Sequence, residues 1–245
     1  MCACSLTLRP GGVGSFDFGA PMDTVIALVD SELGAGQVYD HNESNDPISG
    51  CSVHITAYWA AAGLELGFTD EGEQDACTGE PTLAGWRLST ALEPRTIDVR
   101  LASGIGIGSS FDAARQAIAG LELYPNFGGI YGDVPYWAAA GTGAQRIGLS
   151  FREWDYVTAV QRGLIADGAE IVADGQLGPA TSAAYQAFVA AHPGLSNQQR
   201  FELLGALPPA DSGVTGISAG DRWWWEPNEC GSTPFWTLEG EMCNL

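Results

Sequence analysis

One hexapeptide occurs twice in this chain. Tyr58-Trp-Ala-Ala-Ala-Gly63 returns letter for letter as Tyr136-Trp-Ala-Ala-Ala-Gly141. An identity that includes Trp and Tyr is hard to reach by chance in 245 residues. Each copy precedes an alternating segment, Leu64-Glu-Leu-Gly-Phe68 and Ile147-Gly-Leu-Ser-Phe151. Upstream, Phe16-Asp-Phe18-Gly19-Ala20-Pro-Met22-Asp23 is mirrored 89 residues on by Ile105-Gly-Ile107-Gly108-Ser109-Ser-Phe111-Asp112. Internal self-similarity of this kind constrains the fold more than any propensity, because each unit must adopt one supersecondary plan. The plan is a strand, a glycine turn, a helix and an antiparallel meander. The fold class is therefore α+β, with helices covering antiparallel sheet.

In chain order, residues 1–10 read as a tail and Val13 to Phe18 as a short strand. Pro21 opens a helix with Met22, Val25, Ile26, Val29 and Leu33 at helical spacing, closed by Gly34. Residues 35–50 read as loop. Ser52 to Tyr58, Leu64 to Phe68 and Trp86 to Leu88 follow as strands, and Ile97, Val99 and Leu101 alternate as another. Ser109 is the expected N-cap of the second helix, whose stripe is Phe111, Ala114 and Ile118. Val214 to Ala219 is a candidate last strand.

Between these segments the period changes. Val157, Val160, Gln161 and Leu164 recur at i, i+3, i+4 and i+7, and Gly168 closes that helix. Asp174-Gly175 supplies a turn, and Pro179 suits a first helical position. Ala180, Ala184, Ala187, Phe188 and Ala191 mark the expected inner face of a second helix, stopped by Pro193-Gly194. A short third helix follows Ser196, with Phe201 and Leu204 inward.

Val157-Thr-Ala-Val160-Gln161-Arg-Gly-Leu164, the loop Asp174 to Thr181 and Ala184-Tyr-Gln-Ala-Phe188 together resemble the three-helix peptidoglycan-binding module of bacterial wall enzymes. Val189 stands where that family prefers Gln. The resemblance covers residues 154–207. It implies a wall-binding role, with Gln161, Asp174, Gln176, Thr181 and Tyr185 as the candidate binding residues. Their polar groups would meet glycan hydroxyls and amides, and Tyr185 would stack. The body of the chain resembles the module of the β-lactamase-inhibitor protein and of small outer-membrane-assembly lipoproteins, through Phe18-Gly19-Ala20-Pro21 and Ile107-Gly108-Ser109-Ser110. The Met-Thr usual in that module is missing from both copies. This reading divides the chain into a tail (1–10), a first repeat (11–98), a second repeat (99–153 plus 210–222), the inserted helical module (154–207) and a C-terminal segment (223–245), with Pro208-Pro209 as exit linker.

Charge narrows the partners. The net charge is −20, with ten arginines and no lysine. Such a chain does not suit nucleic acid, whose affinity comes from cations neutralising phosphates, nor an anionic membrane surface. No apolar run reaches the length of a membrane span.

Six cysteines stand at 2, 4, 51, 77, 230 and 243. None forms Cys-x-x-Cys and no His sits at zinc spacing, so no metal site is expected. In an extracytoplasmic chain disulfides are the better reading. Cys51, Cys77, Cys230 and Cys243 allow two bridges in three pairings, and the nearness of Cys230 to Cys243 favours 230–243 with 51–77. Met1-Cys-Ala-Cys4 looks like the tail of a lipoprotein cleavage box, making Cys4 a lipidation candidate; the alternative is a gene-calling remnant. Trp223, Trp224, Trp225 and Trp236 fall within 14 residues. They suit either an edge strand sealing the core or a surface for sugar rings or a partner.

Catalytic signatures are missing. His41 falls in an acidic loop, His54 on the polar side of a strand and His192 at a helix end, no Gly-x-Ser-x-Gly or His-Glu-x-x-His occurs, and Gly104-Ile-Gly-Ile-Gly108 lacks dinucleotide spacing. The acidic loops 40–46 and 70–75 lack the order of a calcium loop. The sequence thus suggests a non-catalytic, secreted or lipid-anchored bacterial envelope protein without cofactor that binds peptidoglycan. An inhibitor or scaffold that meets another envelope protein through the repeat body or Trp-rich segment is the second reading, and an unrecognised wall hydrolase is the third.

Overall fold

The structure is a computed structural model that describes residues 6–40, 53–70, 80–90, 95–124, 137–142, 145–151 and 156–220. Within these residues the chain is α+β, with five α-helices, a four-stranded sheet and an eight-stranded sheet. All six cysteines, His41, the Trp-rich segment, Tyr136 and most of both acidic loops lie outside the described residues.

The N-terminal strands are β1 (Thr7–Arg9), β2 (Gly12–Val13) and β3 (Phe16–Asp17). They form the small sheet with β8 (Arg100–Leu101), in the order β3-β2-β1-β8, and β1 runs parallel to β8. Three expectations are corrected here. The tail reaches no further than residue 5, because Leu6 and Leu8 alternate into the core beside Val13. The expected strand from Val13 to Phe18 is split by a turn at Gly14, where φ is +57°. The strand expected across Ile97 to Leu101 also shortens to β8 alone.

Helix α1 (Met22–Leu33) follows Pro21 and buries Val25 and Val29, and Gly34 ends it at positive φ. The meander then runs β4 (Gln37–Asp40), β5 (Val53–Trp59), β6 (Leu64–Asp70) and β7 (Thr82–Ser89). The β4 segment, expected as loop, is an edge strand; its Val38 and Tyr39 are about half exposed, so no buried period marks it.

The second half repeats this order with α2 (Phe111–Ala117), β9 (Glu122–Tyr124), β10 (Trp137–Ala140), β11 (Ile147–Phe151) and β12 (Val214–Gly220). The N-cap of α2 is Ser110 rather than Ser109: the Ser110 hydroxyl accepts from the Ala113 N–H, while Ser109 Oγ accepts from Gly106. The large sheet has the order β4-β5-β6-β7-β12-β11-β10-β9, so the last strands of the two meanders pair at its centre.

The two helix starts are tied to those central strands by matching hydrogen bonds. Gly19 N donates to Leu83 O, Leu83 N to Ala20 O and Met22 N to Pro81 O. Gly108 N donates to Val214 O, Val214 N to Ser109 O and Phe111 N to Ser212 O. Gly19 and Gly108 have φ of +90° and +84°, a region where a side chain is strained.

The alanine triplets of the two identical hexapeptides differ in shape. Ala60–Ala62 form a single 3-10 turn that joins β5 directly to β6, because Trp59 already pairs with Leu64. Ala138 to Ala140 stay in strand, because the chain has residues 141–146 in which to turn before Ile147 pairs with Ala140.

Alternation gives the large sheet two faces. On the first, Ala57, Leu66, Trp86, Ala219, Ile147 and Ala140 lie in one cross-strand row, with Trp59, Leu64, Leu88, Ile217, Leu149 and Ala138 in the next. These residues are buried and share a core with Leu8, Val13, Val25, Val29, Phe111 and Ala114. Trp86 Nε1 donates to Arg9 O at 2.9 Å, so the small sheet sits on this face. Phe111 meets Phe151 edge-on at 5.3 Å.

Candidate functional site

Three helices lie in sequence between β11 and β12. They are α3 (Tyr156–Ala166), α4 (Pro179–Ala191) and α5 (Asn197–Leu203). Helix α3 buries Val160, Gln161 and Leu164. Ser196 and Gln199 form a reciprocal capping box at the start of α5, whose Phe201 is buried. Gly163 lies against the end of α5: a Cβ there would stand 2.3 Å from Leu204 O. Outside the trio, α5 packs beside β9, and Arg115 of α2 meets Glu202 of α5 at 3.3 Å.

The expected inner face of α4 is corrected. Thr181, Tyr185 and Phe188 point inward at i, i+4 and i+7, while Ala180, Ala187 and Ala191 are exposed. In an alanine-rich helix the bulky side chains decide which face is buried, because they remove most apolar area from water.

Four of the five candidate binding residues meet at one point. Gln161 is 1% exposed, and a buried amide must find partners. Its Nε2 donates toward Asp174 Oδ1 at 2.9 Å, Gln176 O at 3.0 Å and Thr181 Oγ1 at 3.0 Å. Two N–H groups facing three acceptors must share. Its Oε1 accepts from the Gly175 N–H at 2.9 Å. Asp174 Oδ1 also accepts from Gln176 N at 2.9 Å, closing a turn on its own backbone, and Gly175 takes φ of +71°. Donors aimed at the Asp174 carboxylate favour its charged form and lower its pKa below the ordinary value, the Gln176 N–H first and the Gln161 amide second.

This arrangement braces a loop from beneath. Gln161 and Thr181 are buried and turned to each other, so their polar groups do not face an outside ligand. Tyr185 is 7% exposed, with Phe188 at 6.4 Å and Phe201 edge-on at 6.5 Å. Its ring is part of the module core and cannot stack on a sugar. Burial pushes its phenol pKa up to about 12. Of the five, Asp174 and Gln176 are exposed.

The surface presented instead is the loop's outer ridge: Val172, 72% exposed, then Asp174, Gly175 and Gln176. Val172 carries no signal in the sequence, because nothing in its neighbours marks it as exposed. Such a ridge offers a carboxylate, amide groups and an apolar contact, which suits binding. His192 closes α4, with Nδ1 2.9 Å from Phe188 O and its ring over Phe188.

No set of three or more His, Cys, Asp or Glu side chains among the described residues is gathered to hold a metal. No helix among them is long and apolar enough to cross a membrane. No family model, curated protein or solved structure matches the chain.

Proposed function

We propose that this chain is a non-catalytic binding protein of the bacterial envelope that attaches to peptidoglycan through the helices of residues 154–207, acting outside the cytoplasm as a secreted or lipid-anchored protein. One observation carries the reading. The Asp-Gly loop that gives the resemblance to peptidoglycan-binding modules is fastened by Gln161 into one conformation, with a mixed apolar and hydrogen-bonding ridge outward. A pre-ordered loop loses little entropy on binding a polar glycan or its peptide. The ligand-facing set is Val172, Asp174 and Gln176, not the buried Gln161, Thr181 and Tyr185.

The inhibitor or scaffold reading ranks second. It calls for an exposed aromatic sheet face. Among the described residues, the middle of the second sheet face carries Glu65, Gly67, Gly85, Arg87, Gly148 and Ser218, with Tyr58 and Tyr39 only toward the β4 edge. The matched hydrogen bonds at the two helix starts support treating the body as a tandem repeat that presents the helical module.

The test is co-sedimentation of the oxidised full chain with purified peptidoglycan, followed by analysis of released products. Retention without products, weakened by Val172→Asp with Gln176→Ala, is the expected outcome. No retention overturns the proposal, and released muropeptides would move it to the hydrolase reading.

A further inference from the structure

The tripeptide Ala-Asp-Gly occurs twice between β11 and β12, as Ala166-Asp167-Gly168 and Ala173-Asp174-Gly175, and these hold both Asp-Gly pairs of the chain. Asp-Gly is prone to isomerise, because glycine has no side chain to shield its nitrogen or restrict its backbone. The glycine nitrogen attacks Cγ of the aspartic acid. A C–N bond forms, the Cγ–OH bond breaks, and the amide hydrogen and the hydroxyl leave as one water. The five-membered succinimide is then opened by one water. Addition at Cγ returns aspartate. Addition at the other carbonyl leaves isoaspartate, whose main chain runs through Cγ and is one methylene longer. No oxidant, reductant or cofactor enters.

The step needs a glycine nitrogen free to swing over Cγ and a carboxyl group free to meet it. At the second copy neither is free. Gly175 N–H donates to Gln161 Oε1, and Asp174 Oδ1 accepts from Gln161 Nε2 and Gln176 N–H, each at 2.9 Å. Both reacting groups are thus held by one side chain, which is 1% exposed and also donates to Thr181 Oγ1. Freeing them means withdrawing a buried amide from its partners. The same donors keep the Asp174 carboxyl in its charged form, the poorer electrophile.

The first copy ends α3 by backbone bonds alone. Gly168 N–H donates to Ile165 O at 3.0 Å and Ala169 N–H to Leu164 O at 2.9 Å. The Asp167 carboxylate has no partner among the described residues. Ile165, Ala166, Asp167 and Gly168 are all exposed. Nothing has to leave the core for this turn to open, and helix ends fray.

We propose that Asp167-Gly168 is the isoaspartyl-forming site of the folded chain, and that the Gln161 clamp closes Asp174-Gly175 to the same reaction. Gln161 acts here as a positioning residue, since it holds both reacting groups and takes no part in the chemistry. The proposal rests on bonds within the helices and stands whether or not they meet peptidoglycan.

Ageing of the full chain at mildly acidic pH tests it. Cleavage after Arg162 and Glu170 puts Asp167 and Asp174 on separate peptides, and electron-transfer fragmentation tells isoaspartate from aspartate. In denaturant the two matched tripeptides should react at similar rates. In the folded chain Asp167 should stay within about threefold of that rate and Asp174 should fall about tenfold or more below it, because each reacts from its locally opened form. Gln161→Met should raise the Asp174 rate about tenfold and leave the Asp167 rate unchanged. A rise at both sites would mean that the variant has unfolded. Thr181→Val, which takes one partner from Gln161, then replaces it and should raise Asp174 alone by a smaller factor. Equal rates at the two sites of the folded parent chain, faster reaction at Asp174 or isoaspartate at neither overturns the proposal. So does an Asp174 rate unchanged in folded Gln161→Met, which would take the protection away from the clamp.

Discussion

Replacing Gln161 by Met removes the amide and keeps the length of the side chain. The change strips one neutral hydrogen bond from each of Gly175 N–H, Gln176 C=O and Thr181 Oγ1. Each is worth about 1 kcal/mol net, and the Thr181 hydroxyl, 4% exposed, cannot turn to water. The thioether returns part of this through apolar burial beside Val160 and Leu164. A net loss of about 2 kcal/mol follows, or roughly 4–8 °C in melting temperature for a chain of this size. Denaturant unfolding of the full chain measures the first quantity. Hydrogen exchange at Gly175 and Gln176 measures the local one, and both amides should exchange faster in the variant. Gln161→Glu should be worse at neutral pH, because it turns a donor into a second carboxylate beside Asp174, and should improve as pH falls through the carboxylate range. A loss below about 0.5 kcal/mol, with unchanged exchange in the loop, would refute the claim that Gln161 holds it.

Gly163→Ala should destabilise by about 1–3 kcal/mol in denaturant unfolding, although Ala is the better helix former, because its methyl would meet Leu204 O. In an NMR titration Asp174 should ionise below its ordinary value of 3.8, and Gln161→Met should move it back toward that value. A carboxylate with a lowered folded pKa stabilises above its unfolded pKa, and that contribution disappears as pH falls through the folded one; it is small here because the group is exposed. Tyr185 should ionise near 12 by ultraviolet titration. Its raised pKa stabilises the fold fully below the unfolded value of about 10, and that contribution is lost as pH rises from there through 12, so stability should fall across this alkaline window in the parent chain and less in Tyr185→Phe.

Much of the architecture was legible because large apolar side chains recur at fixed periods. Helix α1 has Val25 and Val29 on one face, and β6 has Leu64, Leu66 and Phe68 on another, so burial and sequence agree. The period fails where burial does. In β4 the side chains of Val38 and Tyr39 stay exposed at the sheet edge, so Gln37 to Asp40 looks like loop. In α4 the alanines form several equivalent stripes, and only Tyr185 and Phe188 choose between them. The same alanine triplet takes two conformations because the length of chain before the next strand, which no local propensity encodes, decides where the turn falls.

The candidate site was legible in place and reversed in orientation. Gln161 already stood in the apolar stripe with Val160 and Leu164, which by helical period places it inside. Its polarity suggests a ligand, but its position in the stripe turns it inward. A polar residue in an apolar stripe has two physical solutions, a ligand or an internal partner set, and the nearby Asp-Gly turn supplies the second. The loop's backbone has groups at Gly175 and Gln176 that no helix satisfies, and Gln161 answers both with one amide. On the peptidoglycan proposal Gln161 fastens the loop from beneath, and Val172, Asp174 and Gln176 on its outer ridge are the residues that would touch the ligand. On this logic Gln161→Met should weaken wall binding only through loop order, in proportion to the faster exchange, whereas Val172→Asp should weaken it with the fold unchanged.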